Sequence, residues 1–552
     1  MLHIWVGRAG SGKSRRVLEA MEKNRRLRRQ VLLVPEHISH EAEVDLCRAL
    51  GPTASRDAEV LSFRSLSSRV LAETGGLAEF TLDNGGKLLT MRRVLQELAP
   101  ELRVFGRPSQ RASFLRQLTD LTEEFYAYEI GPQALYRQVE DLDGAMGGKL
   151  RDIALIYAAY DARLRSGDFD ARSRLQKLRE HLEGSGYLRG CDVYLDGFSY
   201  FNRQEESILE LVLRQAEGVT VTLLGDRSSD RLFQNALRQR MRLERMARRA
   251  GQEMDVLWCE SRGQGPLGHL EAHFFGQEVP YGGEPEGLEL YQAATAFTEV
   301  EWVSQQLRQL AAEGYRWRDM GVCARNMEVY GPLLESVFRR DGIPAYISRR
   351  SDLLEKPPIT MLLGALDAVT GGFDREDVFR CLKTGLGGIT PDECDILENY
   401  VILWDIRGSA MWLREGDWTA SPDGYGREPT ERSAARLERV NGIRRRVRLL
   451  LEPLYRGMRT AGAARQKAEC LYVFLQEAGV PQTLEDTAKK LLEEDRPQLA
   501  EEYVQLWAIF CGVLDQFAEI LGDTELSGEE FARLLRLVLT QYSVGTIPAT
   551  LD

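Results

Sequence analysis

Near the amino terminus, Gly7, Arg8, Ala9, Gly10, Ser11, Gly12, Lys13 and Ser14 satisfy the pattern G-x-x-x-x-G-K-[S/T]. A short apolar run precedes them and a helical pattern follows, which is the context such a loop requires. Its glycines let backbone N–H groups wrap phosphates, and the helix amino terminus favours negative charge. Lys13 is placed to reach the terminal phosphates and the Ser14 hydroxyl to ligate Mg²⁺, so ATP with magnesium is the expected ligand. A second stretch, "VYLDGF" at 193–198, carries Asp196 at the end of an apolar run, where a carboxylate would hold the same Mg²⁺. In motor enzymes of this loop class a glutamate comes next and activates the attacking water. Gly197 stands there instead, and glycine has no group that accepts a proton. Glu205 and Glu206 read as the solvated first turn of the following helix, favoured by its dipole. The binding half of the site is therefore expected intact and the catalytic half lost, with no catalytic residue assigned.

The elements that must position these groups can be read from periodicity. "LHIWV" (2–6), "VLLVP" (31–35), "DVYLDGF" (192–198) and "VTVTLLG" (219–225) are apolar, β-branched runs bounded by Gly, Pro or polar residues, the pattern of buried strands in a parallel sheet. Helical periodicity fills the gaps, as in "SRRVLEAMEK" and "RQEESILELVLRQAEG", giving a β-α-β alternation. Between 83 and 185 strand signals vanish and amphipathic helices take over. Residues 263–287 hold seven glycines and three prolines and mark a boundary. A second α/β pattern follows, with strands expected in "LELYQA", "MGVCARN" (320–326) and "AYIS", before an almost wholly helical stretch from 352. The expected division is 1–82 and 186–275 as the two parts of a first α/β domain interrupted by a helical insertion at 83–185. Residues 288–350 then begin a second α/β domain, interrupted by a helical insertion at 351–552. The last residues, "SVGTIPATLD", suit either a chain cut from something longer or an ordinary loose terminus.

With 552 residues the chain is long enough for several domains. Its 43% apolar and 28% charged content is that of a globular protein. No run approaches 18 consecutive apolar residues and no signal-peptide pattern opens the chain, so a cytoplasmic location without a membrane partner is expected. The eight cysteines form no C-x-x-C pair and are expected as reduced thiols in the core. A net charge of -12 argues against a chain coated in nucleic acid but leaves room for a local basic channel.

Taken in order, "VGRAGSGKS", "VLLVPEHIS", "VLSFRSLSSRVLAETGG", "VYLDGFSYFNRQE", "HLEAHFF", "TEVEWVSQQLRQLAAEGYRWRDMGVCARN", "GIPAYISRRSDLLEKPPI" and "DVFRCLKTGL" resemble the AddB subunits of bacterial AddAB helicase-nucleases, relatives of the UvrD-like superfamily 1 helicases. The resemblance implies an α/β fold of two RecA-like P-loop domains with parallel sheets, each carrying a mostly helical insertion. It also implies a heterodimer with an AddA-type motor subunit that processes single-stranded and double-stranded DNA ends, in which this subunit scans the exiting strand for Chi from a degenerate helicase core. In that family a nuclease domain with a cysteine-ligated [4Fe-4S] cluster lies further along, beyond the residues present here. "LLGDRSSDRLF" (223–233) resembles the third helicase segment, in which a Gly-Asp pair precedes a γ-phosphate-sensing glutamine. Ser228 or Ser229 is nearest to that place, and Asp226 reads equally as the cap of the next helix.

Rings that stack on bases are the expected contacts with single-stranded DNA: Phe63, Tyr200 and Phe201, with His37 and Ser39 reaching base edges. Each lies just past the carboxyl end of an expected strand, the ligand-facing edge of such sheets. Phe63 reads equally as a core residue. The arginine clusters at 25–29, 238–249 and 439–448 suit either a DNA channel or solvated helix faces paired with glutamates. Two rival functions remain open: a self-sufficient P-loop ATPase or helicase in which another carboxylate replaces the missing glutamate, and a purely structural subunit with a vestigial loop.

Overall fold

The computed structural model describes residues 1–51, 53–75, 82–106, 112–139, 142–166, 174–227, 232–260, 263, 265–275, 278–347, 351–427, 430–460, 462–494 and 496–544. Its chain divides into two compact units, Met1–Leu82 with Asp120–Leu290 and Asp83–Thr119 with Tyr291–Asp552.

The first unit is organised by six parallel strands: β1 (Leu2–Gly7), β2 (Arg29–Leu33), β3 (Ala58–Leu61), β4 (Cys191–Leu195), β5 (Gly218–Leu224) and β6 (Met254–Cys259). Their order across the sheet is β3-β2-β4-β5-β1-β6. The register aligns the strand ends that matter, with Val6 beside Leu223 and Trp258 and Leu33 beside Leu195. Four of these strands match the apolar runs at 2–6, 31–35, 192–198 and 219–225, and β3 is the strand expected just before Phe63, though without bounds; β6 was not expected. Alternation along β1 sends Trp5 to one face, where helices α1 (Lys13–Lys23) and α2 (Ser39–Leu50) bury Val17, Met21, Leu46 and Leu50. It sends Ile4 and Val6 to the other. There α3 (Phe63–Thr74), α4 (Arg174–Leu182), α5 (Arg203–Gln215) and α6 (Gln234–Arg249) contribute Leu66, Leu178, Ile208 and Leu243. The helices start where side chains satisfy their first N–H groups: Ser62 caps α3, and Asn202 with Glu205 forms a reciprocal capping box on α5. A last helix, α7 (Gly265–His273), follows β6. The arrangement is an α/β fold with helices on both faces of a parallel sheet.

The second unit is mostly helical. The helix Pro357–Thr370 is apolar and buried along most of its length. Asn84–Leu98 packs in the same unit, its cap Asp83 accepting hydrogen bonds from Tyr542 (2.6 Å) and Gln516 (2.8 Å). The stretch 83–119, which falls inside the insertion expected for 83–185, thus has its partners among residues beyond 290. A two-stranded antiparallel pair joins Ser351–Asp352 to Ser543–Val544. Strands expected in "LELYQA" and "MGVCARN", and over residues 345–347 of "AYIS", are not formed. The physical reason is that a strand needs a neighbour for its N–H and C=O groups. No strand lies alongside these segments among the described residues, and Val322 and Cys323 stay exposed. Ser348 and residues 545–552 lie outside the described residues. The stretch Leu499–Leu521 is long and apolar enough to cross a bilayer, and 44% of that window is buried inside the protein.

Candidate nucleotide-binding site

The phosphate loop leaves the carboxyl end of β1 at Gly7 and enters α1 at Lys13. Gly7 is required by close approach: a Cβ there would lie 2.4 Å from Ser11 Oγ and 2.6 Å from the Cys259 carbonyl oxygen. Gly10 and Gly12 take left-handed φ angles of +71° and +79°, open to glycine at no steric cost. Gly12 is the cap of α1 and uses no side chain to satisfy the helix, which leaves its first N–H groups available to an anion. Lys13 is buried, and its ammonium donates to the Gly7 carbonyl (2.8 Å), the Arg8 carbonyl (2.7 Å) and Ser11 Oγ (3.3 Å). Burial lowers its pKa, and the nearby Asp196, Cys259 and Glu271 act against that shift. Ser14 is exposed at the first turn of α1.

Asp196 follows β4, its N–H donating to the Leu33 carbonyl at 3.0 Å. Thr222, buried in β5, donates its hydroxyl to Asp196 Oδ1 and fixes the carboxylate's direction. Sequence reasoning missed Thr222. Its signal was present in "VTVTLL", since a hydroxyl inside a buried strand has to find a partner. The donor set of loop amides, Lys13, Ser14 and Asp196 fits a polyphosphate with a hard divalent cation, which takes oxygen ligands from one or two protein groups plus phosphate. No group of three or more His, Cys, Asp or Glu suited to a metal occurs among the described residues.

Gly197 comes next with φ +80°, and a Cβ there would lie 2.6 Å from Ile38 Cδ1. The position where motor enzymes keep their glutamate is therefore shaped for glycine in both conformation and space. Glu206 is not solvated as expected. It is 3% exposed and held by Arg242 (2.7 Å) and Arg203 (3.3 Å), because α6 packs over the start of α5. Glu205 is engaged in the capping box, with its pKa raised by burial. Asp226 does not cap α6, which begins after Phe233 with no side-chain cap; it accepts from Arg8 Nε at 2.6 Å. Arg8 also donates to the Glu271 carbonyl of α7 at 2.7 Å, so one loop residue touches both β5's turn and α7. Ser228 and Ser229 lie outside the described residues.

The residues expected to meet DNA separate by burial. Tyr200 is 69% exposed, while Phe201 is 2% and Phe63 6% exposed. Both buried rings pack on Phe198, at 4.9 and 5.6 Å between centroids, so they form an aromatic cluster inside the unit. His37 is exposed, and Ser39 Oγ donates to the Glu36 carbonyl at 2.9 Å. Most members of the arginine clusters pair with carboxylates, as in Arg25 with Asp57, Arg249 with Glu210 and Arg446 with Glu393. Arg444 is fully buried and donates to the backbone carbonyls of Gly416 and Arg414. Of the cysteines, Cys47 and Cys323 are exposed and the other six buried or half-buried, all as free thiols.

A family model described as "ADDB, N-terminal" matches residues 4–271. Among curated proteins the chain is 34% identical to the B-type subunit of the ATP-dependent helicase/deoxyribonuclease of Desulforudis audaxviator, over 100% of this chain and 50% of that one. It is 34% identical to the protein of the same name from Pelotomaculum thermopropionicum, over 99% and 49%, and 31% identical to that of Acetivibrio thermocellus, over 100% and 50%. The chain thus spans about half the length of the curated relatives it matches.

Proposed function

The chain is of the AddB type, and from that premise we propose that it serves a DNA-end-processing helicase-nuclease as the subunit that holds ATP without turning it over. In this reading the loop Gly7–Ser14 grips the triphosphate, Ser14 and Asp196 share the magnesium ion, and Thr222 keeps Asp196 aimed at it. The bound nucleotide acts as a ligand that favours one conformation for which it has higher affinity. Single-stranded DNA runs along the edge formed by the carboxyl ends of the strands, past His37, Ser39 and Tyr200, and is scanned there for Chi. The partner is an AddA-type motor subunit in a cytoplasmic heterodimer, and the nuclease residues and iron–sulfur cysteines belong to sequence beyond these 552 residues. The observation that carries the reading is Gly197, left-handed and crowded by Ile38 where a water-activating glutamate would stand.

Thermal unfolding with increasing ATP-Mg tests it. The reading expects saturable stabilisation, abolished by Lys13→Ala, with no phosphate release by the isolated chain. Absence of any stabilisation would leave only a scaffold. A second reading, in which the chain hydrolyses ATP itself, draws on Glu271, the carboxylate of α7 close enough to act on the Lys13 pKa. Phosphate release that Glu271→Gln removes would favour it.

A further inference from the structure

The sheet carries a second recess beside the phosphate loop. It is a cavity of about 510 Å³ at the carboxyl ends of β1, β5 and β6. Val6, Leu224 and Leu237 line it with apolar side chains, and two rings, Phe233 and Trp258, line it as well. Around the rings sit guanidinium groups: Arg227 and Arg240 at 5.2 and 5.6 Å from the Trp258 centroid, and Arg8 at 5.9 Å from that of Phe233. Arg227 is exposed and pairs with no carboxylate among the described residues, whereas Arg240 also faces Glu244 at 3.3 Å. The rim carboxylate Asp226 is already compensated by Arg8.

The cavity opens on the side of β1 that α6 covers. Val6 belongs to the face covered by α6, while α1, whose amino terminus would receive the phosphates, covers the face of Trp5. An occupant that fits this lining combines a flat apolar surface with negative charge. Aromatic walls beside arginines, at the ligand-facing edge of a sheet, match a nucleotide unit, whose base stacks irrespective of sequence and whose phosphate meets the cations.

We propose that the cavity receives one nucleotide of a single-stranded nucleic acid, its base against Phe233 and Trp258 and its phosphate against Arg227 and Arg240. The assignment rests on the strand-binding reading above and adds a stacking site remote from His37, Ser39 and Tyr200. Because Arg8 belongs to the phosphate loop and also pairs with the cavity rim, the two sites share a residue.

Fluorescence anisotropy of a labelled oligothymidylate with the 552-residue chain tests the assignment, with circular dichroism and thermal midpoints confirming that each variant folds. Phe233→Ala is expected to weaken binding about tenfold, as is typical of one lost stack. Arg227→Glu, at an exposed position whose contact is the Trp258 ring, is expected to weaken it about as much and to reduce the salt slope by about one. If the parent chain binds no oligonucleotide, the strand-binding reading fails. If the parent binds and both folded variants bind equally well, that reading stands and the cavity assignment is overturned. Variants that keep oligonucleotide affinity but lose a protein partner would overturn it in favour of a protein occupant, and competition by free ATP alone would overturn it in favour of a mononucleotide.

Discussion

Restoring the missing glutamate should not restore hydrolysis. In Gly197→Glu the backbone has φ +80°, a region that costs an L-residue about 1–2 kcal/mol. The new Cβ would lie 2.6 Å from Ile38 Cδ1, the far end of a side chain that can rotate away at about 0.5–1.5 kcal/mol. Together these predict a loss of roughly 1.5–3.5 kcal/mol in stability, or a fall of several degrees in Tm for a domain of this size. Gly197→Ala separates the contributions, since it keeps the backbone and steric cost and lacks the carboxylate. Adding Ile38→Ala should recover the steric part, so a double-mutant cycle between positions 38 and 197 should show favourable coupling of about 0.5–1.5 kcal/mol. The assay pairs thermal unfolding of the cycle and of Gly197→Glu with single-turnover ATP cleavage. If Gly197→Glu is as stable as the parent and cleaves ATP in a Lys13-dependent way, the view that this position is shaped for glycine is refuted.

Thr222→Val keeps the volume of the side chain but removes the donor to Asp196; the magnesium concentration needed for half-maximal ATP binding should rise about tenfold, consistent with a hydrogen bond to a charged group, and an unchanged magnesium requirement would refute a positioning role. Disulfide-exchange reagent should label Cys47 and Cys323 first, and Cys381 last, because burial pushes its thiol pKa up to about 12; fast labelling at Cys381 followed by mass spectrometry would contradict its placement. The Arg446 guanidinium holds the Glu393 pKa below its ordinary value. A carboxylate depressed in the folded state stabilises above its unfolded pKa and loses that contribution as pH falls through the folded one. The Tm difference between the parent and Glu393→Gln should therefore be present at pH 7 and shrink below about pH 4.5.

The phosphate loop was readable because its chemistry is local: eight contiguous residues with a strand before and a helix after. The strands β1, β2, β4 and β5 were readable for a related reason, since burial on both faces writes an unbroken apolar run. The edge strand β6 was not, as its outward positions Asp255 and Leu257 are exposed and dilute the signal, and β3 has only the four residues Ala58–Leu61. Strands expected near 322 and 346 failed for the opposite reason: apolar alternation records a willingness to pair, while pairing depends on a neighbour. What eluded sequence reasoning at the site was long-range. Thr222 reaches Asp196 across 26 positions and Arg8 reaches Asp226 across 218. Glu206 looked solvated until α6 was seen to cover it. Phe63 and Phe201 had the right residue type for stacking on bases, but their partner is Phe198.

A site that grips a triphosphate and leaves it whole is tested most directly by loading the protein with radiolabelled ATP and magnesium, removing free nucleotide, and quenching samples over several hours. The bound label should be recovered as ATP throughout, and Lys13→Ala should retain none. Recovery of the label as ADP and phosphate, at a rate that depends on Lys13, would contradict the proposed role.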